Sequence, residues 1–531
     1  MRSPRRARAL LAARVPATTT ARPGAATAST WFKALPAQTK QVRPLAPTDN
    51  SSQNGEPILI VSGDSRHMLD LLELSEPDTV TEESVKVEAR AHEVLESAAI
   101  RATFWTVVDY GCSMALRVVN SVVLTRLLLP ESFGLMALVA TLIVGISLMS
   151  DIGLGASVIQ SRRGDDPVLL NTVWTLQVLR GAGIFVVSLV LAWPMGLYYH
   201  EPRLTELLPA LGIIVVIGSF NSTNLLSMSR HLSVRRLFLL DITCQIFGLL
   251  VTVGCALLYR SIWALVIGSA MTTVYKVAIS FYRRAIPGIR NSFCWDRECI
   301  HSLVHFGKWI LLSTAFSFFA TQADRLILGK LVSFTLLGVY SIAYSVSDIP
   351  RAIINAFTQK VGYPFIARMA HLPRPEFRRV FLSYRLRALL GGAVMLCLMV
   401  YLGGFLVSKI YDRRYHAASW MVPLLALGLW HTLMYATTMP ALLSLGKSHY
   451  QALGNALYCV SVIAAIPVGF HFFGMFGAVI AVAAGDLPMY FVLLAGASRE
   501  GVSTWRQDLA ATGVFVTLLG LGFGLRAFVA R

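Results

Sequence analysis

Twelve apolar segments, each long enough to cross a bilayer as a helix, follow one another between residues 102 and 497. A membrane-spanning helix needs about 20 apolar residues, whereas a strand of a membrane barrel needs only about ten. Because backbone polar groups in lipid must be paired internally, runs of this length predict helices. The segments are 102–124, 133–154, 170–197, 204–226, 237–259, 261–282, 304–323, 334–357, 386–408, 418–441, 451–473 and 476–497, with a thirteenth candidate at 509–529. The predicted fold class is an all-α polytopic membrane protein.

The low charge content also places the chain in a membrane. Only 14% of the 531 residues are charged, against about 25% in a soluble domain. The net charge of +18 could indicate nucleic-acid binding, but the basic residues form short clusters between the apolar segments. Such clusters orient a membrane protein, whereas a nucleic-acid-binding protein gathers its charge on one soluble face. We therefore expect the lipid bilayer, and no nucleic acid, as a partner.

The first hundred residues differ from the rest. Residues 1–48 contain no Asp or Glu and no long apolar segment. This composition fits an organelle transit peptide, a disordered basic tail in a bacterial protein, or a start assigned too early. We expect residues 1–80 to form a disordered basic extension and linker, and residues 81–100 to form a cytoplasmic helix that leads into the membrane. The expected location is the inner membrane, or an organelle membrane if the segment is a transit peptide.

Two parts of the chain resemble each other. The first copy contains Arg126-Leu-Leu-Leu, Phe133-Gly134-Leu and Ser150-Asp151-Ile152, and the second contains Arg325-Leu-Ile-Leu, Leu337-Gly338-Val and Ser347-Asp348-Ile349. Six predicted spans separate the copies, so both enter the membrane in the same direction, as in transporters with two parallel lobes around a substrate site. We predict two six-helix lobes, 101–285 and 304–497, joined by a cytoplasmic linker at 286–303 and followed by an extra span within 498–531.

Several segments, in this order, resemble the polysaccharide transporter family, which belongs to the superfamily of oligosaccharide-lipid flippases and MATE multidrug exporters. They are LTRLLLPESFGLMALVATLIVGISLMSDIGLGASVIQ, FGKWILLSTAFSFFATQADRLILGKLVSFTLLGVYSIAYSVSDIP, VGYPFIARMAHLPRPEFRRVFLSY and GKSHYQALGN. The resemblance runs from about residue 96 to residue 497. It implies two lobes around a central cavity, alternating access, and flipping of undecaprenyl-linked oligosaccharide repeat units across the inner membrane. Other polysaccharide export or polymerisation proteins are then expected partners.

The first span carries a polar stripe that predicts a substrate lumen. Thr106, Asp109, Ser113, Arg117 and Asn120 fall within an arc of about 80° at helical spacing. Inserting a charged side chain at the centre of a span costs about 2.5–3.5 kcal/mol, so such residues are expected only where they have a partner or a function. A helix that lines a cavity can carry such side chains, and Arg117 would hold an anionic head group. The alternative is an interaction of Asp109 with Arg117 that only holds helices together.

Further polar residues within the spans extend this hypothesis. Four of them are candidate lumen residues: Arg180, Lys308, Asp324 and Arg325. Three are candidates for ion coupling: Asp348, Arg351 and Asp486. Asp486 precedes Leu487-Pro488, and proline removes a helix hydrogen bond, so Asp486 is interpreted either as a proton-binding group in a broken helix or as a capped kink. Two more are given structural interpretations, with His431 as a packing residue and Lys276 extending to the membrane surface.

Two other functions compete with flipping. A MATE-like exporter of cationic drugs would share the fold and use an acidic lumen. A membrane glycan polymerase or ligase would need catalytic groups outside, and no predicted external loop exceeds about a dozen residues. The chain has no GxxxxGK[ST] loop for ATP, and we expect no cofactor. Cys294-x4-Cys299 with His301 matches no common zinc spacing, so no metal is expected either. The protein is therefore predicted to be a transporter and not an enzyme.

The Lys and Arg distribution predicts the topology. Alternate loops from the one containing Arg162 carry roughly nineteen Lys and Arg, against about eight on the other side. Basic loops stay in the cytoplasm, so the N-terminus and the 359–387 loop are predicted to be cytoplasmic and the 409–417 loop external. In a cysteine-free variant, a single cysteine placed at 409–417 should react with an impermeant thiol reagent on intact cells. Labelling of the 359–387 loop from outside would contradict this orientation.

Overall fold

The regular structure is helical throughout the part of the chain that the computed structural model describes. That part comprises residues 105, 108–161, 163–231, 234–282, 288–358 and 362–529, all within the compact unit Glu82–Arg531. The predicted tail and lead-in helix lie outside the described residues. The helices of the first half are α1 (108–127), α2 (Pro130–Met149), α3 (Leu154–Gln160), α4 (Pro167–Tyr199), α5 (Leu204–Ser219), α6 (Asn224–Arg230), α7 (Val234–Tyr259) and α8 (Trp263–Ser280). Those of the second half are α9 (Arg297–Leu331), α10 (Phe334–Phe357), α11 (Tyr363–Arg368), α12 (Arg374–Ile410), α13 (Ala418–Ser444), α14 (His449–Ala484), α15 (Leu487–Arg499) and α16 (Trp505–Val529).

Many of these helices have the length and apolar composition of membrane spans. Seven apolar stretches of the described residues qualify, or eight if the bent pair α5 and α6 is one span, and one of them joins α14 to α15. Further predicted spans are also helical, but polar side chains such as Asp324, Ser347 and His431 lie buried in them. The fold is therefore an all-α polytopic membrane fold.

Three predicted boundaries change in the structure. The expected single span at 204–226 is broken, because α5 and α6 meet at an angle of 66°. Helix α9 begins inside the predicted linker at Arg297, where the Asp296 side chain accepts a hydrogen bond from the Glu298 amide. Most of the predicted 359–387 loop is helical, since α12 already begins at Arg374 with proline in its first turn and Glu376 beside it. Both starts carry local signals that favour a helix N-terminus.

The two halves meet where α2 crosses α10. A Cβ atom at Gly134 would overlap the backbone oxygen of Phe334, and one at Gly338 would overlap the oxygen of Pro130. Small residues allow membrane helices to approach until their backbones touch. Gly134 and Gly338 occupy equivalent places in the sequence repeat. The two copies of the repeat therefore contact each other through equivalent residues at this crossing, as a local two-fold relation requires.

Apolar packing continues from this crossing towards one end of the molecule. One cluster joins residues of both halves, including Leu138, Leu208, Tyr340 and Val422. It contains Tyr411 and Tyr415, which lie within the 409–417 loop predicted to be external. At the opposite end the buried clusters are separate from each other: one joins Val158 and Val173 of the first half to Leu303 at the start of α9, and the other, with Phe377, Phe381 and Ala441, lies within the second half.

The extra C-terminal helix α16 belongs to the packing of the second half. Arg385 and Asp508 form a buried ion pair of 2.5 Å, and Arg385 also donates to the backbone oxygen of Met434 at 3.0 Å. The Trp430 and Phe515 rings stack at 4.3 Å. Arg385, which lies within the predicted 359–387 loop, therefore holds α12, α13 and α16 together.

The α2–α10 crossing has a measurable consequence. Gly134→Ala is expected to destabilise the protein by about 3 kcal/mol, the upper end of the usual cost of overpacking, because backbone atoms cannot move aside. Gly391→Ala is the control, since its Cβ would meet nothing within 4 Å, and replacing a helical glycine there should stabilise by up to about 1 kcal/mol. Thermal unfolding of the two purified variants measures both effects. Equal unfolding temperatures would show that the close crossing is absent.

Candidate functional site

A cavity of about 920 Å³ lies in the first half of the molecule and reaches α10 of the second half. Helices α1, α2, α7 and α8 form most of its wall, and Ser341 and Ser345 of α10 complete it. Its polar and charged lining residues are Asp109, Tyr110, Ser113, Arg117, Asn120, Ser121, Asp241, Gln245, Thr252, Ser269, Thr272, Thr273, Lys276, Ser341 and Ser345. The lining therefore combines four charged side chains with amides and hydroxyls, which suits a polar solute.

The predicted stripe on α1 faces this cavity. Asp109, Ser113, Arg117 and Asn120 all line it, whereas Thr106 lies outside the described residues. Ser113 accepts a hydrogen bond from Gln245 at 2.7 Å, and the buried side-chain oxygen of Asn120 has no hydrogen-bond partner within the described ranges. A single helix face thus carries four polar groups into one space, as its spacing predicted, and their role in binding stays a prediction.

Arg117 is exposed in the cavity and forms no ion pair or hydrogen bond among the described residues. The alternative interpretation required an Asp109–Arg117 contact, but these residues are two helical turns apart, about 12 Å along α1, and no ion pair joins them in the described structure. The guanidinium has five donors in a planar fork that fits a phosphate oxygen pair. Arg117 is therefore available to an anion that enters the cavity.

Asp241 and Lys276 form a second charged feature of the cavity, which the sequence reasoning missed. The Lys276 ammonium lies 3.0 Å from the Asp241 carboxylate and joins α8 to α7. Lys276 thus has a carboxylate partner on the cavity wall, which the interpretation of a side chain extending to the membrane surface did not include. A signal was present in the sequence, because Asp241, Gln245 and Thr252 recur at helical spacing on α7, like the stripe on α1.

A separate polar network lies inside the second half. Asp324 accepts a hydrogen bond of 2.6 Å from the Tyr340 hydroxyl, and its other oxygen is buried without a partner in the part of the chain described. The guanidinium groups of Arg325 and Arg351 lie 4.9 and 5.8 Å from the centre of the Tyr344 ring. Asp324 and Arg325 are thus absent from the lining of the main cavity, in contrast to their predicted place in one lumen.

The ion-coupling candidates belong to this same network. Asp348 and Arg351 form an ion pair of 3.3 Å one turn apart on α10, and Arg351 donates to the Tyr344 hydroxyl at 3.3 Å. Arg351 also interacts electrostatically with Asp486. Asp486, which is distant in the sequence, is therefore brought into one electrostatic unit with the neighbouring residues Asp348 and Arg351.

Asp486 lies at the break between α14 and α15, where proline in the first turn of α15 prevents a continuous helix. Its side chain does not cap α15. Instead its carboxylate binds the His431 ring nitrogen and accepts a 2.6 Å hydrogen bond from Thr432, both on α13. The capped-kink interpretation of Asp486 is therefore wrong in its geometry. His431 is also more than a packing residue, since it supplies this contact.

The remaining candidates lie elsewhere. Arg180 donates to the backbone oxygen of Ser147 at 2.6 Å and to the Ser150 hydroxyl at 3.1 Å, and its guanidinium lies 4.0 Å from Asp151. It does not line the main cavity. Lys308 belongs to α9, but its side chain is outside the described part of the structure. Arg180 thus links α4 to the end of α2 and has a structural role.

Comparison with known proteins identifies relatives of this arrangement. The sequence profile of a family described as "Polysaccharide biosynthesis protein" matches residues 123–420. The amylovoran biosynthesis protein AmsL of Erwinia amylovora is 25% identical over 48% of this chain and 66% of its own length. The lipopolysaccharide biosynthesis protein WzxC of Escherichia coli K12 is 22% identical over 52% of this chain and 56% of its own. The chain thus spans less than two thirds of the length of these two relatives.

Solved structures share the fold. An inward-facing multidrug resistance transporter of the MATE family superposes with a TM-score of 0.58 at 13% identity, over 76% of this chain and 95% of that one. The lipid II flippase MurJ in an inward closed conformation gives a TM-score of 0.58 at 12% identity, over 80% of this chain and 92% of that one. With the apolar helices described above, the chain is a multi-pass membrane protein. Since the profile covers more than half of the sequence, the chain belongs to the polysaccharide biosynthesis protein family.

Proposed function

We propose that this protein flips lipid-linked oligosaccharide repeat units across the inner membrane, with an undecaprenyl-linked glycan as substrate. The observation that carries the proposal is the cavity with Arg117, a cation without an acidic partner among the described residues. Membership of the polysaccharide biosynthesis protein family supports the choice of a glycan as cargo. Other polysaccharide export and polymerisation proteins would supply and receive this substrate.

The chemistry of such a substrate matches the lining. A pyrophosphate-linked glycan is anionic, and an arginine can hold two phosphate oxygens through parallel charge-assisted hydrogen bonds. Asn120, Ser341 and Ser345 offer hydrogen bonds to sugar hydroxyls. A lipid tail would remain in the bilayer, because helices such as α4 expose Leu189, Val190 and other apolar side chains on their outer faces. Head group and tail would then occupy different environments throughout transport.

Alternating access requires the two halves to change their orientation relative to each other. They are joined at the α2–α10 crossing and by the apolar cluster near Tyr415, while the clusters at the opposite end are separate. We infer that the halves rock about this crossing. In the present arrangement, the protein would receive its substrate from the side predicted to be cytoplasmic, where lipid-linked units are presented. Rocking of the halves would then open the cavity to the other side, which is alternating access.

A MATE-like exporter of cationic drugs is the second candidate. The observation that favours it is the presence of two carboxylates, Asp109 and Asp241, in the same cavity. However, Asp241 already forms an ion pair with Lys276, so its carboxylate would attract a cationic ligand less strongly. Glycan polymerisation has less support, since the described loops 200–203, 260–262 and 411–417 are short and offer little room for an external catalytic site.

Arg117 provides the test of this function. In proteoliposomes, Arg117→Gln is expected to reduce flipping of a pyrophosphate-linked oligosaccharide by about 10- to 100-fold, because a hydrogen-bonded charge contributes about 1.5–3 kcal/mol. Arg117→Lys should retain part of the activity, since it keeps the charge and loses the planar fork. Arg260→Gln removes an exposed arginine that does not line the cavity and should leave the rate unchanged.

Two results would contradict this assignment. Restored flipping in the double variant Asp109→Asn with Arg117→Gln would show that the two residues act as a structural pair. Transport of cationic drugs that is lost in Asp109→Asn but retained in Arg117→Gln would favour the exporter. All variants are compared at equal amounts in the membrane.

We further propose that the network of Asp348, Arg351 and Asp486 couples flipping to a proton. A proton that reaches the His431–Asp486 pair changes the charge facing Arg351. Arg351 is paired with Asp348, which in turn interacts electrostatically with Tyr110 on the wall of the main cavity. A change of protonation in the second half could thus be transmitted to the substrate cavity.

Asp486→Asn tests this coupling, because asparagine keeps the shape of the side chain and cannot exchange a proton. Flipping by this variant is expected to lose its response to an imposed pH gradient. Thr437→Val is the control on the same helix as His431, since the buried Thr437 hydroxyl bonds the Leu433 carbonyl oxygen of its own helix at 2.8 Å. An unchanged response of Asp486→Asn to the gradient would remove Asp486 from the coupling route.

A further inference from the structure

A second cleft, of about 380 Å³, lies between the first turns of α12 and the connection from α15 to α16. It is lined by Arg378, Gly501, Ser503, Trp505 and Arg506. Gly501 has a positive φ of 79° and meets no neighbour at its Cβ position, so the connection turns sharply there and leaves open space. The cleft is remote in the sequence from the charged residues of the main cavity.

The cleft carries an excess of positive charge. Arg378 and Arg506 are exposed, and no carboxylate pairs with either among the described residues. The acids nearest in sequence on the α15–α16 side are occupied, because Asp508 binds Arg385 and Glu500 lies 3.2 Å from Lys447. The two cleft arginines are therefore available to an external anion.

The cleft lies at the edge of a surface that faces lipid. Beyond Trp505, helix α16 exposes large apolar side chains, among them Leu509 at 70% and Val516 at 59%. Trp505 itself is 51% exposed, and the Arg506 guanidinium lies 5.2 Å from the centre of its ring. Tryptophan and arginine next to an apolar helix face are typical of the headgroup level of a bilayer. The apolar surface of α16 thus ends where the positive cleft begins.

We propose that this cleft binds the phosphate of an anionic phospholipid. Arg378 and Arg506 approach the cleft from two different helices, so one phosphate group between them can accept hydrogen bonds from both guanidinium groups. The Ser503 hydroxyl adds a neutral donor on the same wall. The acyl chains would lie along the Leu509 face of α16. This site is independent of the transport function proposed above.

The buried Arg385–Asp508 ion pair lies close in sequence to the two arginines of the cleft, so a lipid bound there should affect the stability of the protein. Asp508 follows Arg506 by two residues, and its partner Arg385 lies seven residues after Arg378 on α12. A lipid phosphate that bridges the two arginines would therefore join the ends of the same two helices that the Arg385–Asp508 pair joins inside. Anionic lipid is expected to raise the unfolding temperature of the purified protein.

Native mass spectrometry of the full-length protein in detergent tests the proposal, with phosphatidylglycerol as probe and phosphatidylcholine as the zwitterionic comparison. An arginine near a membrane surface contributes about fivefold in affinity for anionic lipid. The double variant Arg378→Gln with Arg506→Gln should therefore bind phosphatidylglycerol about 25-fold more weakly than the unchanged protein and should lose the stabilisation that this lipid gives.

The matched control is Arg290→Gln with Arg297→Gln, which removes the same charge from two exposed arginines in the predicted cytoplasmic linker. It should bind phosphatidylglycerol as the unchanged protein does. Equal loss in both double variants would mean a general charge effect and would overturn the site. Binding of inorganic phosphate as tight as that of phosphatidylglycerol would also overturn it, because the lipid would then be unnecessary. Folding of each variant is checked by its unfolding curve without added lipid.

Discussion

The close crossing of α2 and α10 is the contact on which the arrangement of the two halves depends. It occurs at Gly134 and Gly338, where any larger side chain would overlap the opposite backbone. In lipid, helices gain little from the hydrophobic effect, and close backbone packing takes over part of its role. The crossing brings the second half, through α10, to the wall of the main cavity. The cavity wall therefore contains residues of both halves.

The two halves use their polar residues in different ways. In the second half, Asp324, Asp486 and Arg385 are buried and bonded to side chains of neighbouring helices. Such groups would be costly in a membrane interior without partners. In the first half, Arg117 faces open space, and the Asp241–Lys276 ion pair joins α7 to α8 in the cavity wall. The contrast suits a binding cavity beside a rigid, charged framework.

Local sequence patterns predict some of these features and miss others. The stripe of Asp109, Ser113, Arg117 and Asn120 is visible in the sequence because residues on one helix face repeat at a fixed interval. The Asp241–Lys276 pair was missed, since its members lie on different helices and only packing brings them within 3.0 Å. The role of Arg385 was missed for the same reason. It lies within the predicted 359–387 loop, yet its partner Asp508 comes from a helix far along the chain.

The sequence alone determined the fold class, the order of the helices and one wall of the cavity. Apolar length, helical spacing and the pairing of backbone groups in lipid are local constraints, and each can be evaluated from consecutive residues. Only the tertiary structure decided which polar groups meet. It separated Asp324 and Arg325 from the main cavity, joined Asp486 to His431 and Thr432, and anchored α16 through Arg385. Such contacts depend on the rotation and depth of each helix against its neighbours, which the pattern of a single helix does not contain.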